Sequence, residues 1–141
     1  MLGGQEIDFN DLLGRGQPLV LNFWAGLCPP CRQEMPDFQK VYNEQKDKFI
    51  LVGVDVGPFV GLGSHDDARE FLREFNITYP AAFAKTNSLL RQYNVLGMPT
   101  TVFFTPDGKV FRKHTGFMTL GQMRSNLEDL LNASSKLQPA S

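Results

Sequence analysis

The chain is poor in the residues that build multi-ligand sites: two cysteines, two histidines and one tryptophan among 141 positions, with a formal net charge of -1. Each shortage excludes something. Without an excess of Lys and Arg there is no basic stripe of the kind nucleic-acid binding needs, so nucleic acid is not expected as a partner. With no second cysteine pair, and with His65 and His114 isolated in the sequence, the four N or S ligands of a structural zinc site are missing. No metal or other cofactor is expected. The longest apolar stretch, Phe49 to Gly63, is interrupted by Asp55 and Pro58 and is shorter than a bilayer span. The opening Met1-Leu2-Gly3-Gly4 lacks the charged and apolar regions of a secretory signal, which leaves a cytoplasmic protein or one whose export segment has been removed.

What is present is concentrated in one place. Both cysteines fall within Trp24-Ala25-Gly26-Leu27-Cys28-Pro29-Pro30-Cys31, after an apolar β-rich run, Leu19 to Phe23, and before Met35, Phe38 and Tyr42 at helical spacing. The pair therefore straddles a strand-to-helix turn. Pro29 and Pro30 suit an opening helical turn, whose N–H groups have no intrahelical partner. That places Cys28 at or beside the N-cap, where free N–H groups and the helix dipole favour a thiolate and make it the nucleophile. Cys31, one turn inside, is placed to resolve a mixed disulfide. A purely structural disulfide is a poor explanation, because closing so small a loop removes little chain entropy.

With 42% apolar residues, the chain suits one compact α/β domain over residues 1–132, burying about two-thirds of its unfolded surface. Phe9, Leu12 and Leu13 are expected to cap the core, and the segment from Ala133 is expected to be a disordered tail. After strand Leu19 to Phe23 and a helix from Cys31 to about Gln45, the continuous apolar run Phe49 to Val56 reads as a second central strand. Gly57 to Ser64 reads as an irregular loop, with Ser64 as N-cap of a helix carrying Ala68, Phe71, Leu72 and Phe75 on one face and stopping at Asn76. Ala81 to Ala84 reads as a short strand. A short helix begins near Thr86 or Asn87 and ends at Asn94. Thr100 to Phe104 and Val110 to Thr115 form an antiparallel hairpin across Thr105-Pro106-Asp107-Gly108-Lys109. Thr119 with Gln122 gives capping-box spacing for a last helix with Leu120, Met123, Leu127 and Leu130 on the sheet side.

Phe23-Trp24-Ala25 before Cys28-Pro29-Pro30-Cys31, and Gly97-Met98-Pro99-Thr100 before a hairpin and terminal helix, resemble the thioredoxin superfamily from about Leu19 to Leu131. Cys31-Arg32-Gln33-Glu34-Met35-Pro36 is similar to the C-x-x-E-x-P continuation of its TlpA/ResA-like (DsbE-like) branch of extracytoplasmic thiol–disulfide oxidoreductases. The 68 positions from Cys31 to Pro99 agree with that branch.

The resemblance implies a thioredoxin-like fold: a central mixed β-sheet flanked by helices, with a strand-helix insertion between the C-x-x-C motif and a cis-proline at Pro99. It implies substrate docking at Met98 and Pro99, and across Leu27, Pro29, Pro30 and Trp24 around the cysteines. Glu34 falls where the branch has a carboxylate, which either moves the proton of Cys31 or merely complements the helix dipole. Trp24 either shields the disulfide or is a core aromatic. Leu27 departs from the aromatic residue usual before the first cysteine, and Asn22 replaces the buried aspartate of thioredoxin itself.

Because Pro29 and Pro30 have no N–H to offer, the Cys28 thiolate has few local donors, which favours a reductant, while the positive charge of Arg32 works against this. The expected function is reduction of disulfides in protein substrates, with a thiol electron donor that by resemblance is a membrane carrier, and with cytochrome c maturation as the task. A monomer outside the cytoplasm is expected. The alternatives are a general thioredoxin- or isomerase-type enzyme and a thioredoxin-fold binding module without turnover. A peroxidase reading is weaker, because Gly26 and Leu27 precede Cys28 where peroxiredoxins have a Thr-x-x-Cys setting.

Overall fold

The computed structural model describes Leu12 and residues 16–137. Five strands form one sheet in the order β3-β2-β1-β4-β5. The central strand β1 (Leu19–Trp24) is buried at every position, as a strand covered on both faces must be. It pairs in parallel with β2 (Ile50–Asp55) and antiparallel with β4 (Thr100–Phe104). The parallel β3 (Ala81–Phe83) and the antiparallel β5 (Val110–Thr115) form the two edges. The sheet is therefore mixed.

Alternation along β1 sends its residues to two cores. Val20 and Trp24 face the side covered by α1 (Pro29–Gln45), α3 (His65–Glu74) and α5 (Leu120–Leu137). Leu19, Leu21 and Phe23 face the other side, where Leu89 and Leu90 of α4 (Ser88–Gln92) pack. Leu12 packs against this second core as expected; Phe9 and Leu13 lie outside the described residues.

Local chemistry sets the ends of the helices. Ser64 and Asp67 form a reciprocal capping box for α3, and Thr119 and Gln122 exchange the equivalent bonds at the start of α5. Asn76 and Asn94 adopt left-handed φ values of 52° and 51°. Each sits just past a helix end, with Ile77 N–H donating to Leu72 O and Val95 N–H to Leu90 O, the Schellman pattern that satisfies otherwise orphaned carbonyls.

Two expectations need correction. The stretch from Gly57 to Ser64 is not wholly irregular: Gly57–Val60 forms a one-turn helix, α2, opened by Pro58 and closed by Gly61 at φ 70°. The last helix does not stop at Ala133 but runs to Leu137, with Ser134 buried and the serine hydroxyls accommodated within it, Ser134 donating back to Leu130 O and Ser135 to Leu131 O. Residues 138–141 are outside the described residues.

Candidate active site

β1 ends at Trp24 and the chain turns through Ala25, Gly26 and Leu27 into α1, so Cys28 arrives at the N-cap with φ -91° and ψ 109°. Its sulfur accepts the backbone N–H of Cys31 at 3.3 Å. The two cysteines form a disulfide, their Cα atoms 5.2 Å apart. Both sulfur-bearing residues are almost wholly covered, Cys28 at 2% and Cys31 at 0% exposure. Around them Leu27 is 54% exposed, Pro29 is exposed and Pro30 half-buried, so the motif presents an apolar surface.

Close packing fixes this turn. A Cβ on Gly26 would lie 2.6 Å from the backbone nitrogen of Ala68 in α3, so a side chain there would force the helix away. Leu27 N–H donates to Leu62 O at 2.9 Å, and a Cβ on Gly63 would lie 2.8 Å from Leu27 Cγ. The segment after β2 is thus packed against the residue preceding Cys28. Arg32 turns away from the cysteines: its guanidinium donates to Gly26 O at 3.0 Å and lies 4.8 Å from the Phe71 ring centroid and 5.5 Å from that of Phe75, with Glu74 3.7 Å away.

Met98-Pro99 is a cis peptide, as the resemblance implied. Pro99 is buried with its carbonyl accepting Gly116 N–H, and half-buried Met98 packs against the core that contains both cysteines. Trp24 is different. It is fully covered, with its ring 5.7 Å from that of Phe71, so it cannot touch a docked partner and belongs to the core.

Glu34 lies three residues after Cys31 on α1, on the same buried face. Its Oε1 accepts from Asn22 Nδ2 at 3.0 Å, and its Oε2 from Met118 N–H at 2.9 Å. Asn22 also donates to Thr101 Oγ1. Burial pushes the Glu34 carboxyl up to about 7, against the lowering effect of the Met118 and Asn22 bonds and with a further upward push from Asp37.

A second buried carboxylate was not expected. Asp55, which the sequence shows only as a break in an apolar run, is fully covered and lies 2.6 Å from His65 Nδ1, while Gly57 N–H donates to its other oxygen. His65 Nε2 faces Ala84 O at 3.0 Å. A polar residue closing a strand as apolar as β2 is the sequence signal that could have flagged it. Asn22, read only as a replacement, holds Glu34. No cluster of three metal-ligating side chains occurs among the described residues.

Comparison with known proteins agrees with this geometry. A family model described as AhpC/TSA matches residues 2–113. The chain belongs to the AhpC/TSA family. Two relatives are each 33% identical. One is the thiol-disulfide oxidoreductase ResA of Oceanobacillus iheyensis, matched over 88% of this chain and 62% of that protein. The other is the thioredoxin-like protein YneN of Bacillus subtilis, matched over 90% of this chain and 72% of that protein. The chain thus spans less than two-thirds of the length of the Oceanobacillus relative. Among solved structures, the exposed lipoprotein thioredoxin of Streptococcus pneumoniae superposes with a TM-score of 0.78 at 26% identity, covering 90% of this chain and 93% of that one. The AhpC/TSA chain accordingly has a thioredoxin-like fold, with β2, α2, α3, β3 and α4 lying between its C-x-x-C helix and its cis-proline. No described helix is long and apolar enough to cross a membrane.

Proposed function

We propose that this chain is a thiol–disulfide oxidoreductase that reduces disulfides in protein substrates through Cys28 and Cys31. The observation that carries the reading is the Cys28–Cys31 disulfide at the N-cap of α1, with a buried acid one turn further along the same face. Relatives named as thiol-disulfide oxidoreductases support it.

In the reduced protein the Cys28 thiolate attacks one sulfur of a substrate disulfide, forming a mixed disulfide while the other substrate sulfur leaves as a thiolate and takes a proton. Cys31 then gives its proton to Glu34 and attacks the Cys28 sulfur. The Cys28–Cys31 disulfide forms, the second substrate sulfur leaves, and Glu34 returns the proton to it. Two electrons pass to the substrate, and an external thiol donor restores the pair. Leu27, Pro29, Pro30 and Met98 form the apolar docking rim, with Pro99 buried beside Met98; Trp24 supports it from below.

Electron flow toward substrate follows from how weakly the Cys28 thiolate is supported. Pro29 and Pro30 have no N–H, Cys31 N–H supplies one bond, and the Arg32 charge is spent on Gly26 O, two aromatic rings and Glu74. A less stabilised thiolate raises the energy of the reduced form and makes the couple a better reductant. By the same reading the protein works outside the cytoplasm, as the exposed pneumococcal lipoprotein does, is recharged by a membrane thiol carrier, and serves cytochrome c maturation.

Equilibration with glutathione or dithiothreitol buffers tests the direction: a potential near or below roughly -250 mV supports it, and one near about -120 mV reverses it. A Cys31→Ser variant should trap substrates as mixed disulfides. A dedicated maturation factor should reduce insulin poorly, whereas brisk insulin reduction would favour a general oxidoreductase.

A further inference from the structure

The disulfide stands at one edge of the sheet between two different neighbours. Trp24 pairs with Asp55 and Phe23 with Thr100, so β1 and β2 end, and β4 begins, at the same edge. β2 and β4 flank β1 on opposite sides. Across that edge the order is therefore α2, which follows β2, then the Cys28 turn after β1, then Met98-Pro99 ahead of β4. Docking at Met98 accounts for one side of the disulfide and leaves the α2 side without a role.

The eight residues from Val56 to Gly63 carry no polar side chain, yet Phe59 and Val60 of α2 are 38% and 37% exposed. Of the seven large apolar side chains exposed among the described residues, three are Phe59, Val60 and Leu27, the last in the turn that this segment abuts. Apolar side chains exposed singly are ordinary, whereas a group of them beside a reactive centre marks a contact surface. Three glycines would leave such a segment loose, but here its ends are fixed. Val56 N–H donates to Trp24 O at 2.8 Å, Leu62 N–H to Gly57 O at 3.1 Å and Leu27 N–H to Leu62 O at 2.9 Å. Gly57 N–H donates to Asp55 Oδ1 at 2.9 Å, and Asp55 is held in turn by His65, so a buried polar pair anchors the start of the turn. Leu27 lies against Gly63, which makes the surface continuous with the docking rim.

We propose that α2 is a second substrate-contact surface, and that Phe59 and Val60 select protein substrates carrying an apolar residue beside the cysteine that Cys28 attacks. The inference rests on the disulfide-reducing role proposed above. That role fixes the occupant: the attacked sulfur must reach bonding distance of Cys28 Sγ, so the substrate chain on either side of its cysteine is laid across this edge. Residues on one side meet Met98, and those on the other meet Leu27 and α2. A polar or charged residue brought against α2 gives up hydration and finds no side-chain partner on residues 56–63, whereas an apolar one gains contact.

Symmetric disulfide dimers of two short peptides, one with leucine and one with serine on both sides of the cysteine, test this with the fully reduced protein. Initial rates of peptide thiol release should favour the leucine dimer by roughly ten-fold in the wild type. The double substitution Phe59→Ser, Val60→Ser alters two exposed positions and should bring the ratio to about three-fold or less, the remainder coming from Leu27 and Met98. Val60→Glu is an independent second variant. At low salt it should favour a lysine-flanked dimer over a glutamate-flanked one by about three-fold more than the wild type does. A wild-type leucine-to-serine ratio near one, or selectivity unchanged in both variants, overturns the α2 surface and leaves the reductase reading standing. Failure of the reduced wild type to attack hydroxyethyl disulfide, which is too small to span to α2, would overturn the reading itself and this surface with it.

Discussion

Glu34 and Asp55 are both fully covered, both on the side of the sheet packed by α1 and α3, and both pushed up by desolvation, yet they are satisfied in opposite ways. Asp55 faces an imidazole. One proton between Asp55 Oδ2 and His65 Nδ1, with Nε2–H donating to Ala84 O, satisfies every atom of that pair whichever partner carries the proton. Gly57 N–H takes the remaining carboxylate oxygen, so the unit ties the end of β2 to α2, α3 and the residue after β3. Among the described residues Glu34 has only neutral donors, Asn22 and Met118 N–H, and no cationic partner to share a proton with. The first arrangement locks a proton in place. The second leaves a carboxyl whose charge state follows its surroundings, as the acid role proposed for Glu34 requires.

The comparison is broken most severely at Asp55. Replacing it with Ala empties a fully covered position and leaves Gly57 N–H and the half-buried His65 Nδ1 without their partner, and should lower stability by about 3 kcal/mol, the low end for removing one member of a buried pair. Urea unfolding of the oxidised protein measures this. The potential of the cysteine couple in the folded fraction should be unchanged, and a shifted potential would mean that Asp55 acts on the cysteines as Glu34 does.

Next in size is the dependence of stability on pH. The Glu34 carboxyl sits at about 7 in the folded protein against an ordinary 4.5, so the folded state holds that proton more tightly than the unfolded chain. Its contribution is fully present below pH 4.5 and is lost as pH rises through 7, a loss of about 3 kcal/mol at roughly 1.4 kcal/mol per unit. Asp55, also raised, pulls in the same direction. Urea midpoints at pH 5 and pH 7.5 for the wild type and Glu34→Gln separate the two: the variant should lose most of the difference, and an equal slope in both proteins would assign the effect to Asp55.

Local features of the site were readable in the sequence, and features made by long-range contact were not. The N-cap at Cys28, the opening turn at Pro29 and Pro30, the N-cap at Ser64, the capping pair Thr119/Gln122, and the stops at Asn76 and Asn94 each depend on residues within a few positions. Position 99 was assigned a cis-proline only through family resemblance, since a lone X–Pro bond carries a weak prior. What raises the Glu34 carboxyl is its burial in the fold, opposed by bonds from Asn22 and Met118, 12 and 84 positions away, and no spacing rule shows either the burial or those partners. The same limit hid the Asp55–His65 pair, which made His65 look isolated. Trp24 could be read as surface or core until α3 was seen to bring Phe71 against it. The helix at Gly57–Val60 is a single turn amid three glycines, too short for any periodicity to show.

The kinetic side of the comparison lies in Glu34→Gln. Removing the acid while keeping its shape should slow the resolving step by about 100-fold at neutral pH, within the usual range for general acid–base assistance. The initial attack by Cys28 should keep its rate, so a mixed disulfide should accumulate when a model disulfide is added, visible by quenching and mass measurement. Asp55→Asn should show no such accumulation. A Glu34→Gln protein that resolves at the wild-type rate would leave Glu34 a purely structural residue like Asp55.

The smallest effect expected is at Arg32, and it tests whether any charge besides Glu34 acts on the cysteines. Its guanidinium lies over Phe71 and Phe75 and donates to Gly26 O, contacts that Arg32→Met removes while keeping most of the apolar stem. A stability loss of about 1 kcal/mol is expected from the cation–π contacts and the lost bond. Because the charge is directed at α3 rather than at the sulfurs, the reduction potential should stay where it is. A fall of more than roughly 15 mV would show the opposite, since about 30 mV corresponds to 1.4 kcal/mol for this two-electron couple and loss of a stabilising cation destabilises the reduced form. In that case the reducing character assigned to the Pro29-Pro30 pair would be partly offset by Arg32, and the contrast between a locked charge and a movable proton would have to include a third group.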